Sequence, residues 1–265
     1  MSINVIRKEL RLGRRFFLIW GGVIIFILAL YMPFFPYMQS PDYSKIFEGL
    51  PEEFLEAFNI RNIVFQDINY YYATLIMQYL LMLSAIFSAT MAGRLISRES
   101  DLNTAEFLFT RPLTRINIMA SKVAVFMMVN VLLWILLYAL AVALGHATDP
   151  GEIDLKGQFF VHLSGFVAIL AVGGIAFAAA PFINTVQGST SLGIGLGLGF
   201  FLIDAMSKLT EKLSFLKYFN IYFYASFEDA VIGELYLSGL LLLLFVFILG
   251  TALGFFFLHR KEFTG

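Results

Sequence analysis

The chain has 265 residues, of which 59% are apolar, 17% aromatic and 14% charged. A typical soluble domain is roughly 45–50% apolar and about 25% charged, so this chain has too few charged residues to cover a globular surface in water. The 18 basic and 19 acidic residues nearly balance, and cysteine is absent. These values exclude a disordered chain, a nucleic-acid-binding protein, an ordinary soluble enzyme, and any disulfide or thiol chemistry.

Five stretches contain no Asp, Glu, Lys or Arg and exceed the roughly 20 apolar residues that cross a bilayer. They are Phe16–Pro41, Ile68–Gly93, Val123–Thr148, Gly157–Ile203 and Leu235–His259. The fourth is 47 residues long and has Pro181, Asn184 and Gly188 near its middle, which predicts two helices joined by a turn. We therefore predict an all-α membrane protein, a single domain over 1–265, with six transmembrane helices at about 16–38, 69–96, 117–144, 159–182, 188–207 and 235–258.

Lys and Arg are distributed unevenly between the two sides that six spans create. If both termini are cytoplasmic, 12 of the 18 basic residues lie on the cytoplasmic side and 6 lie outside. Cytoplasmic loops of membrane proteins carry an excess of Lys and Arg. We therefore predict cytoplasmic N- and C-termini.

Residues 1–15 form an amphipathic segment ahead of the first span. Ile3, Ile6 and Leu10 recur at helical spacing, and five basic residues occupy the rest of the surface. We predict an interfacial helix that lies in the headgroup layer and meets anionic membrane lipid. The alternative is a positively charged flank of the first span.

The stretch Arg94–Asn117, between the second and third spans, is too polar to cross a membrane. It contains a potential short helix, Thr104–Phe109, whose apolar side chains would be exposed in a simple loop. Pro112 ends this helix, because the residue before a proline disfavours helical backbone, and Thr114 or Asn117 then caps the third span. A short amphipathic helix on the cytoplasmic side favours docking of a soluble partner. The alternative is a solvated turn that only reverses the chain.

At this loop the chain resembles the ABC-2-type permease family, the membrane subunits of type-2 ABC exporters. The family often has an acidic stretch and then Gly-Thr-x-Glu-x-Leu-Leu-x-x-Pro-x-x-Arg before the third span. Here Asn103 stands in place of the usual Gly, a mild departure because Asn also tolerates left-handed backbone. The basic lead into Trp20, the Leu-Pro-Glu-Glu segment at Leu50 and the Phe-x-x-Arg-Lys-Glu-Phe ending extend the resemblance over nearly the whole chain.

The resemblance implies a permease domain in the cell membrane of a prokaryote, with no cofactor in this chain. Its expected partners are a second permease, identical or homologous, and two ATP-binding cassette subunits that hold ATP and Mg²⁺. Coupling to those subunits is expected through a cytoplasmic coupling helix in the loop 98–116. The residues expected to carry it are Glu99, Asp101, Thr104, Glu106, Phe107, Phe109, Arg111, Pro112 and Arg115.

Motifs for ATP binding and metal binding are missing from the sequence. There is no G-x-x-x-x-G-K-[ST], the loop that cradles ATP phosphates. The three histidines are scattered, and no H-E-x-x-H spacing joins them. We therefore predict no catalytic, cofactor or metal site in this chain.

Four glycines alternate within the predicted fifth span: Gly193, Gly195, Gly197 and Gly199. They form two overlapping G-x-x-x-G pairs, a pattern that lets helix backbones approach closely. We predict that they pack helices within the chain. The alternative is a contact between two permeases.

Asp204 is the only carboxylate near the interior of a span, and acids within a membrane are candidates for a functional polar site. Two simpler interpretations stay open. The carboxylate could reach the headgroups, or it could pair with Lys208 four residues later on the same helix.

The leading functional prediction is an ATP-driven exporter of a lipid, a peptide or a hydrophobic drug, with the substrate path along the interface between permeases. A secondary transporter would need charged residues at mid-membrane, and the spans offer almost none. An intramembrane enzyme would need carboxylate and histidine pairs within its spans. His162 has no acidic neighbour in the sequence.

Overall fold

The computed structural model describes residues 2–40, 49–58, 66–101, 114–149 and 153–260. All regular secondary structure in these ranges is helical, in agreement with the all-α prediction. The six long helices are α1 Ile3–Tyr31, α2 Met77–Asp101, α3 Arg115–Thr148, α4 Leu155–Ala179, α5 Val186–Leu209 and α6 Leu237–Arg260.

Shorter helical segments extend or connect these six helices. They are Met32–Phe34 and Phe35–Met38 after α1, Glu52–Ala57 in the first loop, Ile68–Tyr70 and the π-helical turn Tyr71–Ile76 before α2, Ala180–Phe182 after α4, and Glu211–Phe219, Ile221–Ala225 and Phe227–Val231 between α5 and α6.

Six stretches are long and apolar enough to cross a membrane, as the sequence predicts. The 47-residue stretch divides at a turn, where the Thr185 side chain caps α5 by accepting a hydrogen bond from the Gly188 amide at 3.0 Å. Five of the six agree with the predicted bounds to within four residues at each end. The six are Ile3–Met38, Ile68–Arg98, Ile116–Thr148, Leu155–Phe182, Val186–Leu209 and Leu237–Arg260.

The first span differs from its prediction, because α1 is one continuous helix from Ile3 to Tyr31. No break separates residues 1–15 from the span that we predict to begin at residue 16. The 29 residues of α1 are about 44 Å long at the α-helical rise. Since the hydrocarbon layer is only about 30 Å thick, the basic N-terminal part is a helical extension of the span rather than a separate element.

Contacts between helix termini define two ends of the bundle. At one end, Glu9 of α1 contacts α2 and α3, and the Ser97 and Ser189 hydroxyls join α2 to α5 at 2.8 Å. The rings of Phe182 and Phe257 join the segment after α4 to α6 there, with centroids 5.1 Å apart. We call this the terminal end, because both described ends of the chain lie there, and we call the other the opposite end.

α2 and α4 lie inside the bundle and the other helices surround them. α2 packs against α5 and α4, α4 packs against α6, and α1 packs against α3. Large apolar side chains on the outer helices are exposed, among them Ile19 at 65%, Ile135 at 59% and Leu241 at 66%. Such apolar surface on every side is typical of a protein whose surroundings are lipid rather than water.

The π-helical turn Tyr71–Ile76 brings two consecutive tyrosines into the core at the opposite end. Tyr71 donates to the Tyr31 carbonyl at the end of α1, at 2.7 Å. Tyr72 contacts His162 of α4 at 2.9 Å. This single turn therefore connects the first, second and fourth spans.

Two of the four alternating glycines allow the close approach of α5 to α2. A Cβ at Gly193 would lie 2.8 Å from the Thr90 amide nitrogen, and one at Gly197 would lie 3.0 Å from the Met82 carbonyl oxygen. A Cβ at Gly195 or at Gly199 would meet no atom within 4 Å. Residues two apart point to nearly opposite sides of a helix, so the packing within the chain that we predict for all four glycines applies to one pair only.

We expect Gly197→Leu to lower the stability of the permease, because α2 backbone atoms occupy the space that the new side chain needs. Overpacking of this kind typically costs 1–3 kcal/mol. The measurement is the thermal unfolding midpoint of the detergent-solubilised protein. Gly22→Leu on α1 is the matched control, since a Cβ there meets nothing within 4 Å. Equal midpoints for the two variants would contradict the close contact between α2 and α5.

Candidate functional site

The structure describes only the borders of the predicted coupling loop. α2 ends at Asp101, whose side chain is exposed, and α3 begins at Arg115. Thr114 caps α3, as predicted, by accepting a hydrogen bond from the Asn117 amide at 3.2 Å. Glu99 lies in the last turn of α2. The remaining predicted coupling residues lie outside the described residues: Thr104, Glu106, Phe107, Phe109, Arg111 and Pro112.

A buried ion cluster holds together the helices from which this loop departs. One carboxylate oxygen of Glu9 lies 3.1 Å from Arg98 Nη1, and the other lies 3.0 Å from Lys122 Nζ. Lys122 also donates to the Leu95 carbonyl of α2. The Glu9 and Lys122 side chains are 1% and 2% exposed. Since α1, α2 and α3 each supply one charged group, the cluster fixes the positions of both ends of the loop.

Glu9 is not among the site residues predicted from the sequence, although one signal for it is present there. Glu9 is the only acidic residue before Asp42, and it sits within the most basic segment of the chain. The spacing of residues within that segment does not indicate the partners of Glu9, which lie 89 and 113 residues away in the chain. The N-terminus has a second contact with α3, because the Ser2 amide donates to the Ser121 hydroxyl at 2.8 Å.

At the opposite end of the bundle, Asp204 is held by two partners. Its carboxylate lies 2.6 Å from Lys208 Nζ, as one of the two simpler interpretations predicts. It also accepts a hydrogen bond of 2.8 Å from Asn220 Nδ2, in the segment between α5 and α6. The side-chain oxygen Oδ1 of Asn220 in turn caps the turn Ile221–Ala225 by accepting a hydrogen bond from the Tyr222 amide at 3.1 Å. Asp204 therefore anchors the segment that follows α5.

A cavity of about 450 Å³ opens beside Asp204, between the second span and the segment after α5. Its polar lining includes Asp204, Lys208, Lys217 and Glu228. The Tyr222 hydroxyl is buried there without a hydrogen-bond partner among the described residues. Burial raises the pKa of this phenol, and the negative charge of Asp204 raises it further. Tyr222 therefore stays protonated and can donate a hydrogen bond into the cavity.

His162 lies in the membrane-spanning core with neutral partners. Its Nδ1 is 2.8 Å from the Gln158 backbone carbonyl and must donate to it, so in the neutral imidazole Nε2 accepts from the Tyr72 hydroxyl at 2.9 Å. The rings of Trp134 and Tyr138 contact the imidazole edge to face. No carboxylate among the described residues is bonded to His162, so the acid and histidine pair of an intramembrane enzyme does not form there.

Metal binding finds no support in the described part of the chain. No group of three or more His, Asp or Glu side chains within it could hold a metal ion. The carboxylates of Glu9 and Asp204 pair instead with basic side chains, and Lys122 also donates to a backbone carbonyl.

Comparison with known proteins identifies the family. The family model described as ABC-2 family transporter protein matches residues 3–262. No curated protein sequence matches the chain, and no solved structure matches it. Because the match covers nearly all of the six-helix architecture, the chain belongs to the ABC-2 transporter family.

Family membership fixes the class of the protein. It is a multi-pass membrane permease of the ABC-2 family, and such subunits lack ATPase domains. The sequence also contains no P-loop motif, in agreement with a permease subunit that is separate from the ATPase. The family implies ATP-binding partner subunits.

We expect Glu9→Gln to destabilise the protein, because Lys122 and Arg98 would lose their buried counter-charge. Removing one partner of a buried ion pair costs about 3–5 kcal/mol. The measurement is denaturant or thermal unfolding of the purified protein, with Asp101→Asn as the control because that acid is exposed. Similar losses in the two variants would show that the cluster does not hold the helices together.

Proposed function

We propose that the chain is the permease half of an ATP-driven exporter, acting with a second permease and two ATP-binding subunits in a prokaryotic cell membrane. Family membership and the missing P-loop support the assignment of ATP hydrolysis to separate subunits. The expected substrates are lipids, peptides or hydrophobic drugs, moving along the interface between permeases. A Cβ at Gly195 or Gly199 meets no atom within 4 Å in the described part of this chain, which favours for these two glycines the alternative of a contact with the second permease.

The observation that carries the coupling proposal is the buried Glu9 cluster at the base of the loop between α2 and α3. A force applied to a loop is transmitted only if the helices at its ends are held firmly. Here Arg98 and Lys122, one near each end of the loop, share a single carboxylate. Movement of an ATP-binding subunit against the loop would therefore shift α1, α2 and α3 together.

Two alternatives are less well supported. A secondary transporter would need charged groups at mid-membrane, whereas outside the basic N-terminal part of α1 the charged residues within the described spans, such as Arg94 and Asp204, lie near helix ends. An intramembrane enzyme would need an activated histidine, and the described partners of His162 are a hydroxyl and a carbonyl.

We propose that the terminal end faces the cytoplasm, because 12 of the 18 basic residues lie on that side and cytoplasmic loops carry an excess of Lys and Arg. We expect a Ser44→Cys variant to react with a membrane-impermeant thiol reagent in intact cells, and a Thr110→Cys variant to react only after permeabilisation. The chain has no cysteine of its own, so unlabelled wild type is the control. Labelling of residue 110 but not of residue 44 in intact cells would reverse the orientation.

We expect the double variant Phe107→Ala/Phe109→Ala to release the ATP-binding subunit, because buried aromatic anchors typically contribute at least about 1 kcal/mol each to docking. Glu106→Lys should weaken coupling while the membrane fold stays intact. Retention of the subunit during purification and substrate-dependent ATP hydrolysis are the measurements.

The control for this experiment is Phe54→Ala/Phe58→Ala, which removes a second phenylalanine pair from the first loop, on the predicted outer side. Phe54 lies within the helix Glu52–Ala57 and Phe58 directly follows it, and the centroids of their rings are 4.8 Å apart. Normal retention and normal hydrolysis in both coupling variants would assign the loop to a plain turn.

A further inference from the structure

We propose that a cavity at the terminal end, between α1, α2 and α3, binds one anionic phospholipid of the surrounding leaflet. The cavity has a volume of about 390 Å³ and is lined by residues of all three helices. The ligand that we propose is a resident lipid rather than a transported substrate. This inference goes beyond the proposed function, which enters in placing the terminal end at the cytoplasmic face and in supplying the ATP-binding subunits used in the test.

The polar part of the cavity is strongly basic. Arg11 and Arg14 of α1 and Arg94 and Arg98 of α2 all line it. Glu9 is the one carboxylate among the lining residues, and it is already engaged by Arg98 and Lys122. Arg11 and Arg14 are exposed and have no acidic partner among the described residues. The cavity therefore presents uncompensated positive charge, which attracts an anion.

Arg94 is held in a position that suits a phosphate. Its guanidinium carbon lies 4.5 Å from the centroid of the Phe16 ring, so the ring supports the group from one side. Its Nε is buried and has no hydrogen-bond partner among the described residues. A guanidinium that is fixed by stacking and keeps free donors is preorganised for phosphate oxygens.

The rest of the cavity wall is apolar and continues along α3 from the buried Val125 to the exposed Leu132. Val125, Val129 and Leu132 line it over eight residues, about 10 Å of helix. Phe17 of α1 faces them across the cavity. Leu132 is 48% exposed, so this wall opens toward the lipid side.

The basic part and the apolar part of the cavity together select the class of ligand. A free phosphate or a soluble anion would use the arginines and leave the apolar wall exposed. An acidic protein surface would not extend along a membrane-spanning helix. A phospholipid fills both parts, with its phosphate at the arginines and an acyl chain along α3, where apolar burial adds to the binding.

The test uses the permease purified with its ATP-binding subunits in a neutral detergent. We expect added phosphatidylglycerol to raise the thermal unfolding midpoint, and phosphatidylcholine or inorganic phosphate to leave it unchanged. Arg11→Gln/Arg14→Gln should weaken the apparent affinity for phosphatidylglycerol about tenfold or more, because each basic residue near an anionic headgroup contributes about 1 kcal/mol. Arg7→Gln/Arg15→Gln is the matched control, with the same loss of charge from α1 but outside the cavity lining.

A second variant blocks the cavity without changing charge. Gly13 lines the cavity, and a Cβ there would meet no atom within 4 Å. We expect Gly13→Phe to abolish the response to phosphatidylglycerol and to keep the unfolding midpoint of the lipid-free protein.

Four results would overturn the proposal. They are equal shifts with phosphatidylglycerol and phosphatidylcholine, a full shift with inorganic phosphate alone, equal loss in the two double arginine variants, and loss of the ATP-binding subunits from Arg11→Gln/Arg14→Gln with an unchanged lipid response. The second would indicate a free-anion site, and the last would assign the cavity to a protein contact.

Discussion

The terminal end of the bundle depends on one buried carboxylate. Glu9 would be costly to bury alone, since an unpaired charge in an apolar environment loses its hydration. Two cations from two other helices offset that cost, and Lys122 uses a further donor on a backbone carbonyl. Because the charges are satisfied only when α1, α2 and α3 are all in place, the cluster specifies how these helices assemble as well as stabilising them.

The remaining helices assemble by close approach of backbones. Lipid offers apolar side chains the same surroundings as a helix partner does, so packing within a membrane relies on small residues and interhelical hydrogen bonds. Gly193 and Gly197 bring α5 onto α2, and Gly250 brings α6 onto Gly174 of α4. α2 is therefore held by charge at one end and by tight packing along its length, which makes it the central element of the bundle.

The sequence predicts the features that depend on local pattern. Runs without charge locate the six spans, and the polar residues before the third span limit its cap to Thr114 or Asn117, of which Thr114 is the cap in the structure. The pairing of Asp204 with Lys208 also follows from spacing along one helix. The features that it misses join residues far apart in the chain, such as Glu9 with Lys122 and Tyr72 with His162. The spacing of residues along the chain does not encode such pairs, because neither residue of a pair has an unusual pattern in its own segment.

The contacts of α1 have a mechanical consequence. At the terminal end α1 is tied to its neighbours through Glu9, and at the opposite end the Tyr31 carbonyl accepts the hydrogen bond from Tyr71. A helix held at one point can pivot about that point. A helix held at two points can move only together with the structure to which both points are attached. α1 is thus a brace across the thickness of the bundle: tilting it alone breaks the bond at one end or the other.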